Sequence, residues 1–191
     1  MSPRAYFADD PGELSLDGTW FFDYHRSDPN PDINPELAFE PPFVPETETI
    51  DVPSHWVLRG DGRWGAPAYT NVDFPFPVDP PFPPEENPVG DYSRRFTCPE
   101  SWLSSGGQIR LRFEGVESQI IVWVNGQWIG MARGSRLAHE FDITEVLVPG
   151  ENTVTLRVHQ FSAGSYLEDQ DQWWLPGVFR SVSLRYLPAF S

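Results

Sequence analysis

From residue 90 onward the chain is a series of short runs in which apolar and polar residues alternate, separated by turn residues. In Gln108–Phe113 the apolar residues fall on one face and two arginines on the other, which is the period of two of a half-buried strand. Asn125-Gly126 stands between two such runs and is the strongest short hairpin signal in a sequence. No stretch keeps a 3.6-residue period, so the sequence predicts an all-β sandwich or barrel.

The first part of the chain differs because its prolines gather between Pro29 and Pro88. Proline lacks a backbone N–H and is confined to edge strands and loops. We therefore predict an extended, Pro-rich N-terminal arm over residues 1–50, packed on a body formed by residues 51–191. Residues 56–88 also carry glycines and scattered aromatics, and they are predicted to form long ordered loops, which are often functional.

Charge and cysteine content exclude several classes of protein. A net charge of -15 argues against nucleic acid and anionic membranes as partners. The single cysteine, Cys98, excludes an internal disulfide and allows a reducing compartment, where it is expected to be a buried, inert thiol. Residues 1–11 contain no apolar h-region, so we predict no signal peptide and a cytoplasmic location. The apolar run at 120–124 is far too short to span a bilayer.

The 164–174 segment concentrates chemistry-bearing side chains, with three carboxylates, two amides and three aromatic rings in eleven residues. Carboxylates accept hydrogen bonds from sugar hydroxyls, and aromatic rings stack on the C–H face of a pyranose. The pattern is therefore typical of a sugar site. It is equally compatible with an acidic loop held by two core tryptophans, and composition alone leaves both interpretations open.

Other catalytic or metal chemistry has weak support in the sequence. Glu168, Asp169 and Asp171 could supply an acid/base pair for glycoside hydrolysis or ligands for a hard cation, although most acidic loops are simply solvated. The four histidines have no metal-ligand spacing with one another or with Cys98, so no zinc site is expected. His159 falls at an outward position of a predicted strand and is expected to be solvated.

A set of motifs occurs in a fixed order between residues 16 and 187. They are DVPSHW at 51–56, PAYTNV at 67–72, PPFPPEENP at 80–88, FEGV at 113–116, WVNG at 123–126, GSRL at 134–137, EFD at 140–142, GSYLEDQDQW at 164–173 and GVFR at 177–180. In this order they resemble the first β domain of bacterial β-galactosidases of the large LacZ type, in glycoside hydrolase family 2. The motifs at 69–72 and 164–171 favour the β-galactosidase branch over β-glucuronidases and β-mannosidases.

The resemblance implies a fold and a set of partners. It implies a jelly-roll β-sandwich, similar to galactose-binding domains, over residues 51–191. In such enzymes this domain packs against a TIM barrel that carries the two catalytic glutamates, and its loops complete the galactose subsite. The parent would be a retaining β-galactosidase and a homo-oligomer acting on a galactoside substrate, with no nucleic-acid or membrane partner.

Two residues acquire roles through the same resemblance. Asn71 matches a family asparagine at the substrate pocket, and without the resemblance it would be interpreted as a turn residue. Asp171 matches the aspartate that binds a galactose hydroxyl and a sodium ion, a metal site that another domain shares. The barrel's signature and the ligands of the parent's magnesium ion do not occur in these 191 residues. No catalytic residue is therefore assigned here, and the chain is expected to be an inactive fragment when alone.

Two alternatives to the enzyme-domain interpretation stay open at this point. The chain would be a stand-alone carbohydrate-binding module if it carried its own aromatic platform, which Trp64, Trp173 and Trp174 could supply. It would be a structural or oligomerisation fragment if the Pro-rich arm before residue 50 served subunit contacts. An exposed apolar patch where a barrel could dock favours the enzyme-domain and structural interpretations over the free module.

Overall fold

The computed structural model describes residues 12–29 and 40–189, and its regular secondary structure is almost entirely β-strand. One short α-helix, α1 (Glu100–Ser104), and a few 3-10 turns interrupt the strands of the described residues. The strands are β1 (Glu13–Ser15), β2 (Gly18–His25), β3 (Thr49–Val52), β4 (Ala68–Thr70), β5 (Val89–Thr97), β6 (Gln108–Phe113), β7 (Val116–Glu117), β8 (Gln119–Val124), β9 (Gln127–Arg133), β10 (His139–Asp142), β11 (Glu151–His159), β12 (Gln172–Trp174), β13 (Gly177–Val178) and β14 (Val182–Leu187).

Ten of these strands form two antiparallel sheets. One has the order β1-β14-β6-β10, and the other has the order β3-β2-β5-β11-β8-β9. Both sheets contribute side chains to a single apolar core, in which Leu111 and Leu184 come from the first sheet and Trp20 and Leu156 from the second. The all-β prediction is confirmed, and two sheets around one core are consistent with the predicted sandwich. The jelly-roll connectivity stays a prediction.

The alternating pattern of the sequence accounts for the strands that line this core. In β6 the apolar side chains are buried while Arg110 and Arg112 lie on the outer face, where both contact the Glu140 carboxylate. The predicted hairpin at Asn125-Gly126 joins β8 to β9, with φ angles of 51° and 78°. Both angles are positive, as the favoured two-residue turn requires, so this prediction is confirmed.

The N-terminal region differs from the extended arm expected over residues 1–50. Strand β1 pairs with β14 in the first sheet, and β2 lies between β3 and β5 in the second. In β2 the side chains of Trp20 and Phe22, two positions apart on one face, are almost completely buried in the core, and Phe21 between them is only partly buried. Residues 13–25 are therefore part of the sheets and do not lie over them. Residues 1–11 and 30–39, which belong to the predicted arm, lie outside the described residues.

The outer face of β11 carries a buried network of charges. Arg157 donates to both oxygens of Asp91, each over 2.8 Å, and to Asp28 over 3.1 Å. His159 Nε2 lies 2.8 Å from Asp28 Oδ2, and the histidine is only 7% exposed. The prediction that His159 is solvated is wrong, because the chain after β2 brings Asp28 onto this face.

Candidate functional site

Two of the stretches that stood out in the sequence meet in a small antiparallel ribbon formed by β4 and β12. Its register pairs Thr70 with Gln172, and Tyr69 with Trp173. Asn71 directly follows Thr70, and Asp171 directly precedes Gln172, so the two predicted site residues leave the same end of the ribbon. Both are exposed. The structure thus brings together two residues that lie 100 positions apart in the sequence.

One face of the ribbon is anchored in a cluster of aromatic rings. Trp174 is 6% exposed and its Nε1 donates to the Thr70 hydroxyl over 3.0 Å. Its ring packs with Phe76 and Phe161, at centroid distances of 6.3 and 6.0 Å. Phe74 and Tyr166 close the cluster. This second, smaller core packs against one face of the ribbon.

The opposite face carries the polar groups. Because side chains alternate along a strand, Asp171 and Trp173 share this face, and Tyr69 lies across from Trp173. The Tyr69 hydroxyl donates a hydrogen bond to Asp171 Oδ1, and the rings of Tyr69 and Trp173 are 5.4 Å apart. The hydrogen bond to Asp171 is the main reason why the pKa of Tyr69 is raised from its ordinary value. Trp173 is 54% exposed, so the loop is pinned by one core tryptophan and presents the other to solvent.

The segment before β12 is held by its own hydrogen bonds. Ser162 begins a 3-10 helix, Ala163–Leu167, by accepting from the Gly164 N–H over 3.1 Å, and the Ser165 hydroxyl accepts from the Ser162 N–H over 3.0 Å. Glu168 then accepts from the N–H and the hydroxyl of Ser135, at 2.7 and 2.6 Å. Both oxygens of Glu168 are occupied, so this carboxylate ties the loop to the β9–β10 connection.

A buried glutamate that the sequence analysis did not single out lies beside this loop. Glu117 is 4% exposed and accepts from Arg136 over 2.7 Å and from the Leu175 N–H over 3.1 Å. Burial is the main cause that raises the pKa of its carboxyl, and the Arg136 guanidinium opposes it. No local signal could have found Glu117, because its partners Arg136 and Leu175 are distant from it in the sequence.

Between these groups lies a cavity of about 260 Å³. Its walls combine the Trp173 and Trp174 rings with the amides of Gln170 and Gln172, and Arg136 lies at its side. An aromatic wall with amide and charged groups can hold a polyhydroxylated ligand, since rings cover C–H faces and amides both donate and accept hydrogen bonds. The cavity therefore adds a second polar and aromatic surface next to the Asp171 face.

The carboxylates of the loop differ in what they can still bind. Tyr69 occupies one oxygen of Asp171, and Oδ2 accepts no hydrogen bond within the described part of the chain. Asp169 has a buried Oδ1 that likewise lacks a hydrogen-bond partner there. An exposed carboxylate oxygen fits a hydroxyl or a hard cation such as sodium. Across residues 12–29 and 40–189, no group of three His, Cys, Asp or Glu side chains is placed to hold a metal.

Large apolar side chains are exposed around this end of the ribbon, and we call them the apolar rim. Leu137, Leu167 and Trp173 line the same cavity, and Tyr69 contacts Trp173. Leu137 is 64% exposed, Leu167 is 88% exposed, and Val72, which follows Asn71, is 85% exposed. Exposed apolar patches of this kind mark surfaces that bind another protein surface or a ligand.

The fold and the site together define a β domain that presents an acidic and aromatic loop suited to sugars. Comparison with known proteins is consistent with this class: the family model described as "Glycosyl hydrolases family 2, sugar binding domain" matches residues 14–188. The chain belongs to this family.

Its sequence relatives are large enzymes. It is 50% identical over 196 residues to "Beta-galactosidase" of Arthrobacter sp. (strain B7), covering 97% of this chain and 19% of that protein. It is 45% identical over 174 residues to "Beta-galactosidase" of Leuconostoc mesenteroides subsp. mesenteroides, covering 91% of this chain and 16% of that protein. The chain thus spans less than a fifth of the length of these relatives.

Solved structures support the fold at lower identity. A β-glucuronidase of an uncultured Clostridium sp. matches with a TM-score of 0.65 and 21% identity, over 97% of this chain and 31% of that one. A Bifidobacterium dentium β-glucuronidase matches with a TM-score of 0.65 and 20% identity, over 96% of this chain and 31% of that one. Within the described ranges of the chain, no helix has the length and apolar character needed to cross a membrane.

Proposed function

We propose that the chain is the sugar-binding domain of a retaining β-galactosidase and that it contributes Asp171 and Asn71 to a galactose subsite. The observation that carries the proposal is the placement of these two residues at one exposed end of the β4–β12 ribbon. The relatives named β-galactosidase supply the substrate class. The catalytic step belongs to a barrel outside this chain.

The chemistry of the two side chains suits hydroxyl recognition. The amide of Asn71 both donates and accepts, and the free oxygen of Asp171 accepts from a sugar hydroxyl. Such contacts raise the rate when they strengthen toward the transition state. Two glutamates of the barrel would form and hydrolyse a galactosyl-enzyme intermediate, as in retaining glycosidases. Asp171 and Asn71 would hold the sugar in place during both steps.

Asp171 would also share a sodium ion with the barrel. Its exposed oxygen is a suitable hard ligand, and the remaining ligands would come from the other domain. The sodium ion would add positive charge next to the sugar hydroxyls. The magnesium ion of the parent enzyme would be bound entirely by residues outside this chain.

The apolar rim would be the surface that contacts the barrel. Leu167 and Val72 are the most exposed apolar residues of the rim and flank the proposed sugar site on its two segments. Covering them would also remove water from around Asp171, which strengthens its polar contacts. We further propose that the parent is a cytoplasmic homo-oligomer, a location with which the free and buried thiol of Cys98 is compatible.

The first experiment measures hydrolysis of a chromogenic β-galactoside by the isolated chain, with sodium and magnesium present, alongside titration with galactose. We expect no turnover and no saturable binding. The chain is then fused ahead of the part of the Arthrobacter β-galactosidase that follows the matching segment. The fusion should hydrolyse the substrate, and the same enzyme part without this chain should not. Turnover by the isolated chain, or a folded but inactive fusion, would overturn the proposal.

A free carbohydrate-binding module is the second candidate. The observation that favours it is the exposed ring of Trp173 beside the cavity with its amide groups. Saturable binding of galactose by the isolated chain, lost on Trp173→Ala, would support this candidate. Binding that is absent in the isolated chain and appears only in the fusion would exclude it.

A further inference from the structure

We propose that Tyr69 is a positioning residue for the sugar site, because its hydroxyl holds one oxygen of Asp171 and directs the other toward the ligand. The inference deepens the proposed function and rests on the role given there to Asp171. Tyr69 itself touches neither the sugar nor the cation in this proposal. It acts through the orientation of the carboxylate.

The Tyr69–Asp171 hydrogen bond lies on a different face of the ribbon from the contacts that anchor it. The ribbon is anchored through Trp174 and Thr70 on its buried face. The Tyr69–Asp171 bond lies on the opposite face, where Tyr69 is 47% exposed and Asp171 is also exposed. Hydrogen bonds between exposed groups add little to folding, because water replaces them at little cost. Stability therefore gives no reason for a hydroxyl at this position.

The Tyr69 hydroxyl is instead explained by its effect on the orientation of the Asp171 carboxylate. The terminal torsion of an aspartate is broad, so an exposed carboxylate without a donor rotates freely. A hydroxyl that holds Oδ1 leaves Oδ2 as the one oxygen available to a ligand. Fixing the group before binding lowers the cost of ordering it when the sugar arrives. The tyrosine ring itself packs against the ring of Trp173, with 5.4 Å between the two ring centroids.

The hydrogen bond itself is tested in the isolated chain by NMR at neutral pH, on tyrosines labelled with 13C at Cζ. Tyr69→Phe identifies the Tyr69 signal by removing it. Asp171→Ala should shift the Tyr69 Cζ signal, because the hydroxyl loses its acceptor, and should leave the other tyrosine signals in place. An unshifted Tyr69 signal in Asp171→Ala would overturn the inference.

The functional consequence is tested in the fusion enzyme described above. Tyr69→Phe keeps the ring against Trp173 and removes only the hydroxyl. We expect kcat/KM to fall roughly tenfold, because the Asp171 carboxylate must then be ordered when the sugar binds. The sodium concentration that gives half-maximal activity should rise. The melting temperature should stay unchanged, which a merely structural role would not predict.

The matched control is Tyr166→Phe. Its hydroxyl also lies in this region, where it donates to the Phe82 carbonyl over 2.7 Å and accepts from the Asp79 N–H over 3.1 Å. Within the described residues it makes no hydrogen bond to Asp171. We expect its kcat/KM to stay within about twofold of the parent, because the loss is confined to a loop contact. Equal losses in both variants would overturn the inference.

Comparison with Asp171→Asn separates a failure of this inference from a failure of the proposed function. If Asp171→Asn abolishes activity and Tyr69→Phe does not change it, Asp171 acts without positioning by Tyr69 and only this inference fails. If Asp171→Asn is fully active, the proposed function of Asp171 fails, and the positioning role fails with it.

Discussion

The two faces of the β4–β12 ribbon show how neighbouring residues of one type acquire different roles. Trp174 is buried in an aromatic cluster and donates a hydrogen bond to Thr70, whereas Trp173 is more than half exposed and packs beside Tyr69. A strand sends successive side chains to opposite faces, so one tryptophan anchors the ribbon and the other forms part of the surface. One face of the two strands is buried and stabilises the ribbon, and the other is exposed and carries the sugar site that we propose.

The largest expected effect is on the buried face. Trp174→Ala removes the centre of the aromatic cluster, and the free energy of unfolding should fall by about 3–5 kcal/mol because a large cavity is left. Trp173→Ala should cost less than about 1 kcal/mol, since its ring is already half in water. Urea denaturation of the two variants measures the difference. Equal losses would show that the two faces do not divide their roles in this way.

The exposed face should respond in activity rather than in stability. In the fusion enzyme, Asp171→Asn should lower kcat/KM on the order of a hundredfold, or about 2.7 kcal/mol, because the charged acceptor for hydroxyl and cation is lost. The urea midpoint of the isolated chain should not change, since Asp171 is exposed. Near-normal activity in this variant would refute the role of Asp171.

A third prediction compares Asp171 with Glu168, whose oxygens are both occupied by Ser135. Ser135 is 2% exposed, and Ser135→Ala should lower the free energy of unfolding by about 1–2 kcal/mol, because one acceptor oxygen loses its donor in a partly buried site. Ser101, an exposed serine of α1, provides the control, and Ser101→Ala should be neutral. The prediction fails if both variants unfold at the same urea concentration.

The smallest effect that we expect is on the pH dependence of stability, and it arises at Asp91. In contrast to Asp171, this carboxylate is fully buried, and both of its oxygens accept hydrogen bonds from Arg157. His25 lies 3.3 Å from it, and this hydrogen bond is the main cause that raises the pKa of His25 above 6.5. The protonated ring therefore stabilises the fold fully below pH 6.5, and this contribution is lost as the pH rises through the raised pKa.

His25→Gln should remove that pH-dependent term, which is on the order of a few tenths of a kcal/mol for a partly exposed pair. The measurement is the difference in unfolding free energy between the parent chain and the variant as a function of pH. A difference is needed because burial lowers the pKa of His55, which makes stability rise with pH in the adjoining range below pH 6.5. A difference that is constant from pH 5 to pH 9 would contradict the assignment.

Several parts of the fold could be predicted because their physical cause is local. The alternation in Gln108–Phe113 predicts one face in a core, and the strand has those bounds. Asn125-Gly126 predicts a turn with two positive φ angles because these residue types tolerate them. The thiol of Cys98 is buried, as its apolar character suggests.

Other parts depended on contacts between distant segments. His159 is buried because Asp28, 131 positions away, lies against it. Ser135 and Glu117 shape the loop that precedes β12, but neither residue carries a local signal of that role. The resemblance to β-galactosidase domains drew attention to Asn71 and Asp171, and no propensity or period would have linked them.

By itself the sequence determined the all-β class, the hairpin at Asn125-Gly126 and the concentration of carboxylates, amides and rings in the 164–174 segment. The tertiary structure decided which of these side chains are buried or already hydrogen-bonded and which are exposed to a ligand. In the fold, both oxygens of Glu168 accept hydrogen bonds from Ser135 and Trp174 is buried. One oxygen of Asp171 accepts no hydrogen bond from the part of the chain that the structure describes. The physical reason is that composition and period are properties of neighbours in the chain, whereas the occupancy of a carboxylate oxygen depends on which donors the fold brings to it.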